Sequence, residues 1–153
     1  MFETERKFLV DRAKMPLPST GEEILQGYIA IDADGTEVRV REKGGRFFMA
    51  VKSGEGLVRT EYENEITQEQ FDGLWPFTAG RRVEKMRYCV PVAGGYVCEL
   101  DIFAGSLRGL VMAEVEFRDE KAAAGFTPPE WFADEVTDDS RYKNKNLAVR
   151  GLE

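Results

Sequence analysis

The sequence predicts a mainly β (α+β) protein: an eight-stranded antiparallel β-barrel, closed into a tunnel, with a few short flanking helices. Three observations carry this reading. Segments of seven to eleven residues alternate in polarity with a period of two. Glycine-marked turns separate them at short intervals. Helical patterning is confined to short stretches, and no linker or low-complexity segment divides the 153 residues, so 1–153 reads as one domain.

The elements follow in order. Phe2 to Val10 alternates as a strand, and Ile24 to Ile31 is a second, rich in β-formers. Asp32 to Gly35 is a turn into a strand at Thr36 to Lys43. Gly44-Gly45 turns the chain into Arg46 to Ser53, and Gly54-Glu55-Gly56 into Leu57 to Ile66. Thr67-Gln68-Glu69-Gln70 has the form of a capping box, with Phe71, Leu74 and Trp75 at helical spacing before Pro76. Strands at Arg82 to Val92, Tyr96 to Phe103 and Val111 to Arg118 complete the eight. Asp119 caps a short helix through Ala124, Pro128-Pro129 break the chain, and Asp138 or Asp139 caps a last helix near Ser140 to Val149.

Composition narrows the chemistry. Hydrophobic residues make up 42% and charged residues 32%, with a net charge of -7. That balance opposes non-specific nucleic-acid binding, yet local basic clusters remain compatible with a phosphate ligand. With no histidine, a Ser-His-Asp triad and a His-ligated zinc site are both excluded. Any metal would be hard and oxygen-ligated. No apolar run is long enough for a membrane helix, and the charged start is unlike a signal peptide, so the expected location is cytoplasmic. Cys89 and Cys98 flank a Gly94-Gly95 turn and are expected to be reduced and packed.

The polar faces of the strands are unusually ionic. Glu3, Glu5 and Lys7 share one face of the first strand, opposite Phe8 and Val10. Gln26 and Tyr28 share a face of the second, and Glu37, Arg39 and Arg41 of the third. Then come Lys52; Arg59, Glu61, Glu63 and Glu65; Lys85 and Arg87; Glu99 and Asp101; and Glu114, Glu116 and Arg118. A solvated face normally mixes Thr, Ser, Lys and Gln. Here carboxylates and cations recur with little neutral filler, which suggests an inverted barrel, apolar outside and charged within. Such burial costs several kcal/mol per ion unless the charges pair or bind ions. Guanidinium and ammonium groups suit phosphate oxygens, and clustered carboxylates suit a divalent cation, so a metal-complexed polyphosphate would use both signs.

These residues also carry a family likeness. Glu3-Thr4-Glu5-Arg6-Lys7 has the form E-x-E-x-K. Matching segments follow in order: Gln26-Gly27-Tyr28, Arg39-Val40-Arg41, Lys52, Arg59-Thr60-Glu61-Tyr62-Glu63, Lys85-Met86-Arg87, Glu99-Leu100-Asp101 and Glu114-Val115-Glu116. Over nearly its whole length the chain resembles the CYTH superfamily, the triphosphate tunnel metalloenzymes, in its small bacterial form. Ser140 to Asn144 is similar to the C-terminal stretch of those proteins. Thr4 departs from the pattern, standing where many members have an apolar residue.

The resemblance implies metal-dependent hydrolysis of a triphosphate, with inorganic tripolyphosphate the leading candidate, and Mg²⁺ or Mn²⁺ as cofactor. It implies phosphate contacts from Arg39, Arg41, Lys52, Arg59, Lys85 and Arg87. Metal ligands are drawn from Glu3, Glu5, Glu61, Glu63, Asp101, Glu114 and Glu116, with some of these serving as ion-pair partners instead. Lys7 is either a general base, with Tyr28 beside it, or a phosphate contact. A class IV-type adenylate cyclase, a thiamine triphosphatase using Trp75 or Trp131 as a stacking platform, and a non-catalytic polyphosphate-binding module are the competing functions. The expected partner is a small-molecule triphosphate, without nucleic acid or membrane, and a homodimer is left open.

Overall fold

The computed structural model describes residues 4–53 and 60–152. The strands are β1 (Thr4–Val10), β2 (Glu22–Ile31), β3 (Glu37–Lys43), β4 (Arg46–Ser53), β5 (Thr60–Ile66), β6 (Arg82–Val92), β7 (Tyr96–Phe103), β8 (Val111–Phe117) and β9 (Phe132–Glu135). The helices are α1 (Gln68–Leu74), α2 (Glu120–Gly125) and α3 (Asn144–Arg150). All strand pairings are antiparallel, in the order β5-β4-β3-β2-β6-β7-β8-β1-β9.

Local chemistry sets the boundaries. Gly44 and Gly45 take φ of 58° and 81°, so the two-residue turn twists with its strands and brings Lys43 opposite Arg46. The Thr67 hydroxyl accepts from the Gln70 amide at 3.1 Å, and the Gln70 side chain accepts from the Thr67 amide at 2.9 Å, which starts α1. Gly27 permits a close approach. A Cβ there would stand 2.6 Å from Thr78, whose turn packs on β2.

Three expectations need correction. The sheet has nine strands, because Phe132–Glu135 adds to the outer side of β1. The ladder also does not close: among the described residues β5 and β9 are free edges. What holds is a mainly β antiparallel sheet with few helices. The sheet still curls strongly, since β1 and β4, with five strands between them in the ladder, line one cavity. The expected single helix from Ser140 to Val149 is interrupted. A 3₁₀ turn, Ser140–Tyr142, is capped by Asp139, and α3 starts after Lys143 in extended conformation.

The apolar faces point outward. Phe8, Val90, Leu100, Ala113, Val115 and Phe117 form a core outside the curl, covered by α2 with Phe126 and by Phe132. Helix α1 covers the outer side of β3 and β4. A second core lies in phase with the charged rows. Tyr28, Val83, Phe103 and Met112 meet Leu147 and Ala148 of α3, which seals one end of the curl. The two cysteines are unpaired. Cys98 faces Val90 in the register and is buried, whereas Cys89 is one position away on the other face and exposed. Among the described residues no helix is long and apolar enough to cross a membrane.

Candidate active site

The inward rows of six strands and the start of α3 enclose a cavity of about 700 Å³. Into it converge Glu5 and Lys7 from β1, Tyr28 from β2, Arg39 and Arg41 from β3, Lys52 from β4, Lys85 and Arg87 from β6, and Glu114 and Glu116 from β8. Val115, by contrast, is buried in the outer core. Glu3 and Arg59 lie outside the described residues. Glu61 and Glu63, on the free edge strand β5, reach the basic wall from the side, while Asp101 sits behind Lys85 and Arg87.

One wall is acidic. The β1–β8 register sets Glu5 opposite Glu116 and Lys7 opposite Glu114. One carboxylate oxygen from each of Glu5, Glu114 and Glu116 lies within 4.8 Å of the others. The crowding is unfavourable: burial and the adjacent Glu5 push the Glu114 carboxyl up to about 8, so that it hydrogen-bonds to Glu5, whose own value is lowered. Lys7 compensates in part, 3.6 Å from Glu5 and 3.9 Å from Glu114. Three oxygen donors under mutual repulsion make a set that a hard divalent cation would fit.

The other wall is basic. Arg39 lies 3.4 Å from Glu61 and 3.9 Å from Glu63, Arg41 3.9 Å from Glu63, and Lys52 3.8 Å from Glu61. The Nε atoms of Arg39 and Arg41 are buried and find no hydrogen-bond acceptor among the described residues. Burial, with Arg39 beside it, lowers the Arg41 guanidinium from its ordinary value. Such donors invite an anion.

Between the walls stands a tighter group. Lys85 meets Asp101 at 2.8 Å, and Arg87 grips Asp101 through two nitrogens at 2.9 and 3.0 Å while also contacting Glu99. Burial opposes the Asp101 charge, but the two cations win and hold its carboxyl below its ordinary value. Tyr28 is 1% exposed, accepts a hydrogen bond from Gln26 Nε2 at 2.7 Å, and is raised from its usual value mainly by burial. Trp75 stacks on Phe71 under Arg82, and Trp131 packs on Phe132 in the outer core; neither lines the cavity.

Gln26, Glu37, Lys143, Asn144 and Lys145 line the cavity but were given no site role from the sequence. Period two had placed Gln26 and Glu37 on the rows of Tyr28 and Arg39 without assigning them a function. The 143–145 segment carries no such alternation.

A mainly antiparallel sheet curled around opposed cationic and carboxylate walls defines a class of protein that can hold a polyanion together with a cation. No family model matches the chain. It is 50% identical over 153 residues to an inorganic triphosphatase of Nitrosomonas europaea, covering 97% of this chain and 98% of that protein. It is 38% identical over 147 residues to an inorganic triphosphatase of Acetivibrio thermocellus, covering 95% and 92%. A crystal structure of an inorganic triphosphatase superposes with a TM-score of 0.81 at 47% identity, covering 97% of this chain and 95% of that one. The chain therefore belongs to the inorganic triphosphatase family, within the CYTH or triphosphate tunnel superfamily.

Proposed function

We propose that this protein hydrolyses inorganic tripolyphosphate in the charged cavity, with Mg²⁺ or Mn²⁺ as cofactor. The observation that carries this reading is the opposition of two walls: Arg39, Arg41 and Lys52 on one, Glu5, Glu114 and Glu116 on the other. The relatives named inorganic triphosphatase support the substrate.

Glu5, Glu114 and Glu116 would hold the cation, whose chemistry is to neutralise phosphoryl oxygens and polarise water. Arg39 and Arg41 grip oxygens in pairs, and Lys52 adds a point charge. Lys7, ion-paired to two carboxylates, reads as a phosphate contact placed beside the cation site. Lys85 and Arg87 set a positive floor that Asp101 and Glu99 orient, and Tyr28 with Gln26 shapes the neutral part of the lining. Glu61, Glu63 and Asp101 act as ion-pair partners in this reading. Attack by water on one phosphoryl group breaks one anhydride bond and yields phosphate and diphosphate. The reading also places the enzyme in the cytoplasm and the curled sheet as a functional tunnel around its substrate.

The test is phosphate release by purified protein from tripolyphosphate, ATP and thiamine triphosphate, with Mg²⁺ or Mn²⁺ and with a chelator. The expected result is release from tripolyphosphate that exceeds the other two and stops with the chelator. Cyclic AMP from ATP would replace this reading with a cyclase, and no product from any of the three would refute catalysis.

A further inference from the structure

Six cations of the cavity already have carboxylate partners within 4 Å: Lys7, Arg39, Arg41, Lys52, Lys85 and Arg87. Lys143 and Lys145 line the same cavity and have no carboxylate within that distance among the described residues. The paired cations can hold a phosphate only by sharing or releasing a carboxylate. These two lysines need release nothing, so their charge is available to an incoming anion.

Their position adds a second constraint. The 3₁₀ turn Ser140–Tyr142 and α3 are clasped together, with Asn146 Nδ2 donating to the Ser140 carbonyl at 2.7 Å. One turn further on, Leu147 and Ala148 are buried against Tyr28, Phe103, Leu107 and Met112. The segment therefore shows its lysines to the cavity in front and an apolar seal behind. A chain of phosphates that reaches this wall meets a segment backed by apolar packing.

We propose that Lys143 and Lys145, with Asn144 between them, form an end stop that receives a terminal, unsubstituted phosphoryl group. Substrates must then carry at least one free end. Linear tripolyphosphate satisfies this at either end. Cyclic trimetaphosphate, with no end, and diadenosine triphosphate, capped at both ends, do not. A nucleoside triphosphate meets the requirement with its terminal phosphoryl group, so selection against it falls to the open mouth. This inference rests on the triphosphatase reading of the same cavity.

The experiment pairs binding with turnover. Calorimetric titration of linear tripolyphosphate, with divalent cations withheld, is run on the wild type, on Lys143→Ala/Lys145→Ala and on Lys143→Arg/Lys145→Arg. Two charge-assisted contacts predict about 10- to 100-fold weaker binding for the alanine pair and recovery for the arginine pair. In turnover the alanine pair should raise KM by a similar factor while kcat changes less, and the wild type should leave diadenosine triphosphate and trimetaphosphate intact. The melting temperature should stay within a few degrees, since both substituted side chains lie outside the apolar seal. Wild-type affinity in the alanine pair, or wild-type cleavage of the end-less substrates at the linear rate, overturns the end stop. Binding that weakens as predicted in an enzyme without turnover upholds the end stop and refutes the triphosphatase reading. A wild type that does not bind tripolyphosphate refutes both.

Discussion

Two sets of ion pairs share the cavity and differ in how they are held. Lys85 and Arg87 meet Asp101 at 2.8–3.0 Å, with side-chain exposures of 4% for Lys85 and 8% for Asp101. Arg39 and Arg41 meet Glu61 and Glu63 at 3.4–3.9 Å, and those glutamates, on an edge strand, are 44% and 40% exposed. The Asp101 pairs are short and largely buried, and Arg87 makes its pair through two nitrogens. The edge pairs are long and wet, and two guanidinium Nε atoms beside them lack an acceptor among the described residues. The contrast separates framework from binding surface. A buried pair is costly to break, whereas a wet pair is worth little and exchanges readily for a phosphate.

The largest expected effect falls on the buried set. Asp101→Asn leaves two cations without their shared anion and should cost about 3–5 kcal/mol in urea unfolding. The sign with pH follows from the lowered carboxyl value. The Asp101 contribution is full above about pH 4, the ordinary value of an aspartate, and is lost as pH falls through its depressed folded value. The gap between wild type and Asp101→Asn should therefore narrow in acid; a gap that widens breaks the comparison.

Next is the acidic wall. Glu114→Gln keeps the shape but removes one of three converging donors, and metal-dependent turnover should fall on the order of 100- to 1,000-fold. Full turnover would remove Glu114 from the cation site. Arg41→Ala tests the exchangeable set: KM should rise about 10- to 100-fold with little change in the urea midpoint. A loss of stability rivalling that of Asp101→Asn would mean that the two sets are equivalent after all. The smallest effect is expected for Glu63→Gln, which should leave stability unchanged and keep metal-dependent turnover. Collapse of turnover there would place Glu63 among the metal ligands.

Much of this was legible in the sequence because period two and glycine turns are local signals. Arg46–Ser53, Arg82–Val92 and Tyr96–Phe103 were readable to the residue, as was the inward aim of Arg39, Lys85 and Glu114. Strand β9 was not. Phe132–Glu135 has four residues and no alternation, and it is a strand only because the outer edge of β1 is there to pair with it. Closure was illegible for a related reason: periodicity assigns faces to strands, but which edges meet depends on curl and length. The carboxylates could be counted but not sorted. That Glu5 opposes Glu116 while Asp101 binds Lys85 is a matter of cross-strand register. The end stop was hidden because Lys143 and Lys145 reach the cavity through the burial of Leu147 and Ala148, a contact no local pattern announces.

The central claim is that the two walls divide the work, cation on one and phosphates on the other. Anomalous diffraction from crystals grown with Mn²⁺ and tripolyphosphate tests it most directly. The account predicts an Mn²⁺ peak among Glu5, Glu114 and Glu116, with phosphate density against Arg39 and Arg41. Manganese on Glu61 and Glu63, or phosphates outside the curl, would contradict it.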